Sequence, residues 1–181
     1  MAFKKAVNEE KRDAIETRIG IDFGGVIRRD DGTPHENAFQ IVRFLISKYG
    51  ASNCYIVSKA NQEARNRILH WLQQYDFYQQ TGFLEHNVYF VKEYSGKKEI
   101  VDKLSIHVFI DDKMDNIKRV IVAESIVKAI WFNHEHNNKY TAQPSTKIKH
   151  VERKYRHLLT VSKSWHRVQK NLSKIPSRLS L

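Results

Sequence analysis

The sequence predicts a three-layered α/β domain built on a central parallel sheet. Three observations carry this. Apolar runs at 18–22, 54–57 and 108–111 have strand length, and each leads into a polar group: Asp22, Ser58 and Asp111-Asp112. Longer segments with apolar residues at three- and four-residue spacing separate them, the mark of helices. The two patterns alternate through short connections, which places helices on both faces of a parallel sheet.

In chain order, residues 3–17 are charged and weakly helical at best. The first strand, 18–22, runs into Gly24-Gly25, where the backbone can turn sharply. Asp31-Gly32 within 26–36 is a hairpin signal. Asn37 is placed to cap a helix to Tyr49, which Gly50 ends. After the second strand, 61–75 reads as a helix with Ala64, Ile68, Leu69, Trp71 and Leu72 facing the core. Residues 76–86 are a turn region anchored by Phe77, Tyr78 and Phe83, followed by a strand at 87–91 and a helix at 97–104. The strand at 108–111 precedes a helix at 115–125, and 128–132 is a fifth strand. His134-Glu135-His136 offers metal-ligating groups but no further partner at ligand spacing, so a polar loop is expected there.

The chain has 181 residues, enough for one domain and an appendage. It divides into a charged segment at 1–17, a core at 18–140 and a basic extension at 141–181. The net charge is +11, and the extension holds most of it, with ten Lys/Arg against the single acid Glu152. In the extension, Ile148, Val151, Tyr155, Leu158, Leu159, Val161, Trp165, Val168 and Leu172 recur at helical spacing, predicting a basic helix over 147–172. Lys147, Lys149, Arg153, Lys154 and Arg156 are its candidate contacts to nucleic-acid phosphates, with Tyr155 or Trp165 available for stacking. No run of ~18 apolar residues is present, so no transmembrane helix is expected. The N-terminal stretch lacks the apolar centre of a signal peptide. Cys54 is the single cysteine, which excludes an internal disulfide and fits a reducing, cytoplasmic or nuclear setting.

The order Asp22, Ser58, Lys97-Lys98, Asp111-Asp112, with acids or hydroxyl at strand ends, resembles the haloacid-dehalogenase-like (HAD) superfamily across residues 17–133. That family is mostly Mg²⁺-dependent phosphatases and phosphotransferases with a Rossmann-like core. The resemblance implies Asp22 as the nucleophile that becomes an aspartyl-phosphate. It implies Ser58 as a donor to a phosphoryl oxygen, and Lys97, with Lys98 in reserve, as the neutralising cation. Asp22, the Gly24 carbonyl, Asp111 and Asp112 would hold Mg²⁺, and Asp115 would orient a ligand or bind through water. Gly25, Lys59 and Arg28 would lie against the phosphate, Arg28 and Arg29 sitting on a small hairpin flap. Neither the 22–58 nor the 58–97 interval has room for the cap domain that many members insert, so the resemblance implies a capless member with an open site.

One position departs from the family pattern. Most HAD phosphatases carry a second aspartate two residues after the nucleophile, where it protonates the leaving group; here that residue is Gly24. Losing a general acid/base typically costs ~10²–10⁴-fold. His35 on the flap is the nearest substitute in sequence. The expectation is a Mg²⁺-dependent phosphohydrolase or phosphotransferase acting on an accessible phosphate. A nucleotide or nucleic acid is favoured over a free sugar phosphate by charge. The alternative is a catalytically impaired module that binds nucleic acid or protein through the basic extension.

Overall fold

The computed structural model describes residues 15–134 and 144–179. The charged segment up to residue 14, and Glu135 and His136 of the candidate metal loop, lie outside the described residues. Six strands form one parallel sheet: β2 (Ile19–Ile21), β3 (Cys54–Lys59), β4 (Val88–Val91), β5 (Val108–Asp111), β6 (Lys128–Phe132) and β7 (Leu159–Ser162), in spatial order β4-β3-β2-β5-β6-β7. Short β1 (Ile15–Glu16) and β8 (Arg178–Leu179) pair antiparallel beside it. The chain starts at the sheet centre, builds one way to β4, returns to β5 and builds the other way. This is the doubly wound Rossmann-like order, which leaves a crevice outside the carboxyl ends of β2 and β5.

Strand side chains divide between two cores because alternate residues point to opposite faces. Ile19, Ile21, Cys54, Ile56, Val108, Ile110, Ile130 and Phe132 face one core. They pack under α1 (Ala38–Tyr49), α2 (Gln62–Gln74), α3 (Phe77–Thr81) and α7 (Trp165–Leu172). Tyr55, Val57, Phe109, Ala129 and Trp131 face the other, under α4 (Gly96–Lys103) and α5 (Met114–Val120), with Val151 after α6 (Pro144–Lys149). Gly20 is required for packing: a Cβ there would lie 2.6 Å from a Phe109 ring carbon.

Several local expectations are corrected. The largest concerns the extension. In place of one helix over 147–172, the chain forms α6, a 3-10 turn at Arg153–Leu158, strand β7 and α7. β7 joins the sheet beside β6, and Trp165, Val168 and Leu172 are buried against the first core. Trp165 donates from Nε1 to the Val26 carbonyl at 3.0 Å, so it is not available to stack on a base. Asn37 does not cap α1; it takes a left-handed conformation with no side-chain cap bond. Asn61 does cap α2, accepting from Ala64 N at 2.9 Å. Leu69 is exposed rather than core-facing, because Trp71 and Leu72 set the buried side of α2. The helix expected over 115–125 is the shorter α5. No helix among the described residues is long and apolar enough to cross a membrane.

Candidate functional site

The crevice holds an acid cluster. Asp22 follows β2, Asp111 ends β5, and Asp112 is next in the chain. One carboxylate oxygen from each lies within 4.8 Å of the others. Lys97, at the start of α4 and only 1 % exposed, reaches between them. Its Nζ is 2.9 Å from Asp22 Oδ1 and 2.7 Å from Asp111 Oδ2. Asp111 is fully buried and also accepts from Lys113 N at 2.8 Å and from Asn116 Nδ2 at 3.0–3.1 Å on both oxygens. It is thereby held rigidly behind the other two acids.

Charge balance shapes the protonation states. Burial alone would lower the Lys97 pKa, but the flanking Asp22 and Asp111 carboxylates outweigh it and raise it, so the ammonium stays charged. Burial, then the Asp22 charge, pushes Asp111 up to about 6. Burial, then Asp22 and Asp111, pushes Asp112 up to about 8. Asp112 Oδ1 is buried with no hydrogen-bond partner. Two carboxylates, Asp22 and Asp111, share the one buried lysine, and Asp112 beside them has an unsatisfied oxygen. An oxygen-only donor set of this kind suits a hard cation such as Mg²⁺.

Above the acids lies an open cleft of about 190 Å³. Asp22, Gly24, Gly25, Arg28, Ser58, Lys59, Lys97 and Asp112 line it. Gly25 takes a left-handed φ of 75°, where a side chain would be strained, and its N–H donates to the Arg28 carbonyl at 2.8 Å. That turn starts the hairpin expected at Asp31-Gly32: Arg28 bridges Gly24 on one side and Pro34 on the other. Trp71 Nε1 donates to the Gly32 carbonyl at 2.6 Å and ties the hairpin to α2. Arg28 thus overhangs the cleft, whereas Arg29 turns to Asp31 at 3.4 Å.

Three expected residues fall elsewhere. Lys98 is on the exposed side of α4, 2.6 Å from Asp102, so Lys97 alone of the pair enters the cluster. Asp115 is exposed and pairs with Lys118 at 3.2 Å; the helix turn that points Asn116 at Asp111 points Asp115 outward. His35 is buried against Phe132 and His134, with ring centroids 5.4 and 4.8 Å away, and is not part of the cleft wall. It is therefore not the missing acid.

Three residues of the site were not anticipated. Tyr94 carries Lys59 Nζ over its ring at 4.1 Å and Lys113 Nζ at 5.4 Å, and all three line the cleft. Lys113 Nζ is also 3.4 Å from the Tyr94 hydroxyl. Asn116 is the third, five residues after Asp111. An asparagine one turn into the helix after an acid-tipped strand was a readable signal; the tyrosine bridge was not.

The basic residues of the extension are partly committed to the fold. Arg156 donates to the Val151 and Lys149 carbonyls, each at 2.9 Å. Lys154 pairs with Glu152 at 3.4 Å, and Lys147 Nζ lies 5.6 Å over the Trp131 ring. Lys149 and Arg153 are exposed. A larger hollow of about 780 Å³ lies at the opposite ends of the strands, beside Ile15, His107 and Leu179; its acids are Glu124 and Asp102, the latter already paired with Lys98.

No protein-family model matches the chain, and no curated protein matches it either. Among solved structures, the chain is similar to a de novo designed Rossmann 3x3 fold protein determined in solution by NMR. The TM-score is 0.50 at 14% identity, covering 88% of this chain and 94% of the designed one. That likeness shows the Rossmann-like α/β fold and nothing of chemistry.

Proposed function

We propose that the chain is a capless HAD-like phosphohydrolase or phosphotransferase. The supporting observation is the placement of Asp22, Asp111 and Asp112 within 4.8 Å of one another beside a buried Lys97, under an open cleft that Arg28, Lys59 and Lys113 also line. In this reading an Asp22 carboxylate oxygen attacks phosphorus as the bond to the leaving oxygen breaks, giving an aspartyl-phosphate. Water or an acceptor hydroxyl then takes the phosphoryl group and Asp22 is regenerated. Ser58 donates to a phosphoryl oxygen. Lys97 offsets the repulsion between carboxylate and phosphate, and Arg28, Lys59 and Lys113 add positive charge around the equatorial oxygens. Asp22, the Gly24 carbonyl, Asp111 and Asp112 would hold Mg²⁺. Bound there, the ion supplies the charge that this acid cluster lacks. The open cleft and basic surface favour the phosphate of a nucleotide or nucleic acid.

Release of phosphate from an activated aryl phosphate and a nucleotide panel, with and without Mg²⁺, tests the proposal. Asp22→Asn should stay folded and lose the metal-dependent turnover. Undiminished turnover in that variant would remove Asp22 as nucleophile.

Gly24 favours a second reading, a module that binds without fast hydrolysis and contacts nucleic acid through the extension. Removing 141–181 cannot test it, because β7 and α7 belong to the sheet and its covering layer. Lys149→Glu with Arg153→Glu is the cleaner change. Under this reading RNA or DNA affinity falls and its salt dependence flattens; salt-insensitive binding would count against it.

A further inference from the structure

We infer that the hollow adjoining the carboxylate cleft across Gly24 seats a flat, aromatic leaving group, the chemistry of a nucleoside. This rests on the phosphate reading of the cleft. The hollow has about 400 Å³, against about 190 Å³ for the cleft. The two share Gly24, Arg28 and Ser58, so they form one depression with a small polar end and a wide apolar end.

The walls of the wide end suit a ring. Phe23, Ile68 and Trp71 line it, with Arg67 and His70 at the edge. Phe23 and Trp71 meet edge to face at 5.1 Å, and Tyr75 leans on Trp71 at 4.5 Å. With the indole also bonded to the hairpin, this wall is formed before any ligand arrives, which lowers the ordering cost of binding. A mostly apolar concavity with a few polar groups at one end is the usual form of a small-molecule seat.

Gly24 stands at the passage between the two chambers. Its φ is not in the left-handed region, and a Cβ built on it meets nothing within 4 Å. Neither backbone nor packing therefore demands glycine. What the missing side chain does is leave the opening clear. A bare sugar phosphate would fill the polar end and leave the wide end, walled by Ile68, Ala64 and the edges of the largely buried Phe23 and Trp71, to water; an aromatic leaving group fills it. Arg28 and Arg67 at the margins suit the face of such a ring.

Calorimetric titration with adenosine 5′-monophosphate and with ribose 5-phosphate, both with Mg²⁺, isolates the base. The expected result is at least tenfold tighter binding of the nucleotide. Ala64 lines the hollow from α2, half-buried, and Ala64→Leu keeps a good helix former while filling the space. It should bring the nucleotide's affinity down to that of ribose 5-phosphate. Equal affinities in the wild-type protein would overturn the aromatic seat while leaving the phosphate site standing. A wild-type preference untouched in folded Ala64→Leu would place the base elsewhere and also overturn it. Binding of neither ligand would fail the phosphate reading itself, and the seat with it. Should Ala64→Leu not fold, the wild-type ratio still decides.

Discussion

Under the proposed phosphohydrolase reading, replacing Gly24 by aspartate should raise monoester hydrolysis. Space and backbone allow it, since a Cβ at Gly24 meets nothing within 4 Å and φ is ordinary there. The new carboxyl would stand beside the cleft already lined by Asp22, whose negative charge keeps it protonated to higher pH, as an acid requires. Supplying a positioned general acid is worth ~10²–10⁴-fold, or about 3–5 kcal/mol off the barrier. The gain depends on the leaving group. An alkyl phosphate needs its oxygen protonated as the bond breaks; acetyl phosphate does not. Turnover of glycerol 3-phosphate and acetyl phosphate, measured with Mg²⁺ for both proteins, should show the full gain for the first and less than ~10-fold for the second. A folded variant with no gain on the alkyl ester, or with equal gains on both, would refute the argument that Gly24 marks a missing acid.

Lys97→Met should destabilise the protein by about 3–5 kcal/mol in urea unfolding, because Asp22 and Asp111 lose their buried counter-ion, and Mg²⁺ should restore part of it. A loss below ~1 kcal/mol, no more than a typical surface change, would mean Lys97 is not what neutralises the cluster. Stability in EDTA should fall as pH rises. The unfolded Asp111 and Asp112 ionise near 3.8, whereas the folded ones keep their protons to about 6 and about 8. Between these limits the unfolded state binds fewer protons, so rising pH favours it. Thermal melts from pH 5 to 8 should show a declining Tm in EDTA and a flatter one in Mg²⁺; a rising Tm in EDTA would contradict the assignment.

The sheet and the acid cluster were legible because they depend on local pattern. Runs such as Val108-Phe109-Ile110-Asp111 can satisfy both faces of a buried parallel strand, and the acid at the tip marks its carboxyl end, where the crevice lies. The extension was not legible for a related reason. Leu158, Leu159 and Val161, then Trp165, Val168 and Leu172, mimic a helical repeat although a strand and a helix with different partners produce it. The β-branched Thr160-Val161 between Leu159 and Ser162 was the contrary signal, and Ser164 accepts from Arg167 N as the cap of α7. Lys97 against Lys98 turned on which side of one helical turn faces Asp111, a choice made by tertiary packing. Tyr94 joins Lys59 and Lys113 across three separate segments, so no local pattern announces it.

The placement of β7 and α7 also governs when the domain can mature during synthesis. Trp165 bonds to Val26, and Tyr49 Oη donates to the Leu172 carbonyl at 2.7 Å, contacts separated by 139 and 123 residues. A nascent chain that has emerged only as far as β6 has Asp22, Asp111 and Asp112 but a bare strand edge and an uncovered apolar face over Val26 and Phe132. The next forty or so residues take roughly 2–8 s to be made at ~5–20 residues per second. Through that interval the unfinished edge is open to pairing with a neighbouring chain. The last helix therefore acts as a latch on biosynthesis, and lesions within it should show as loss of yield before any loss of specific activity.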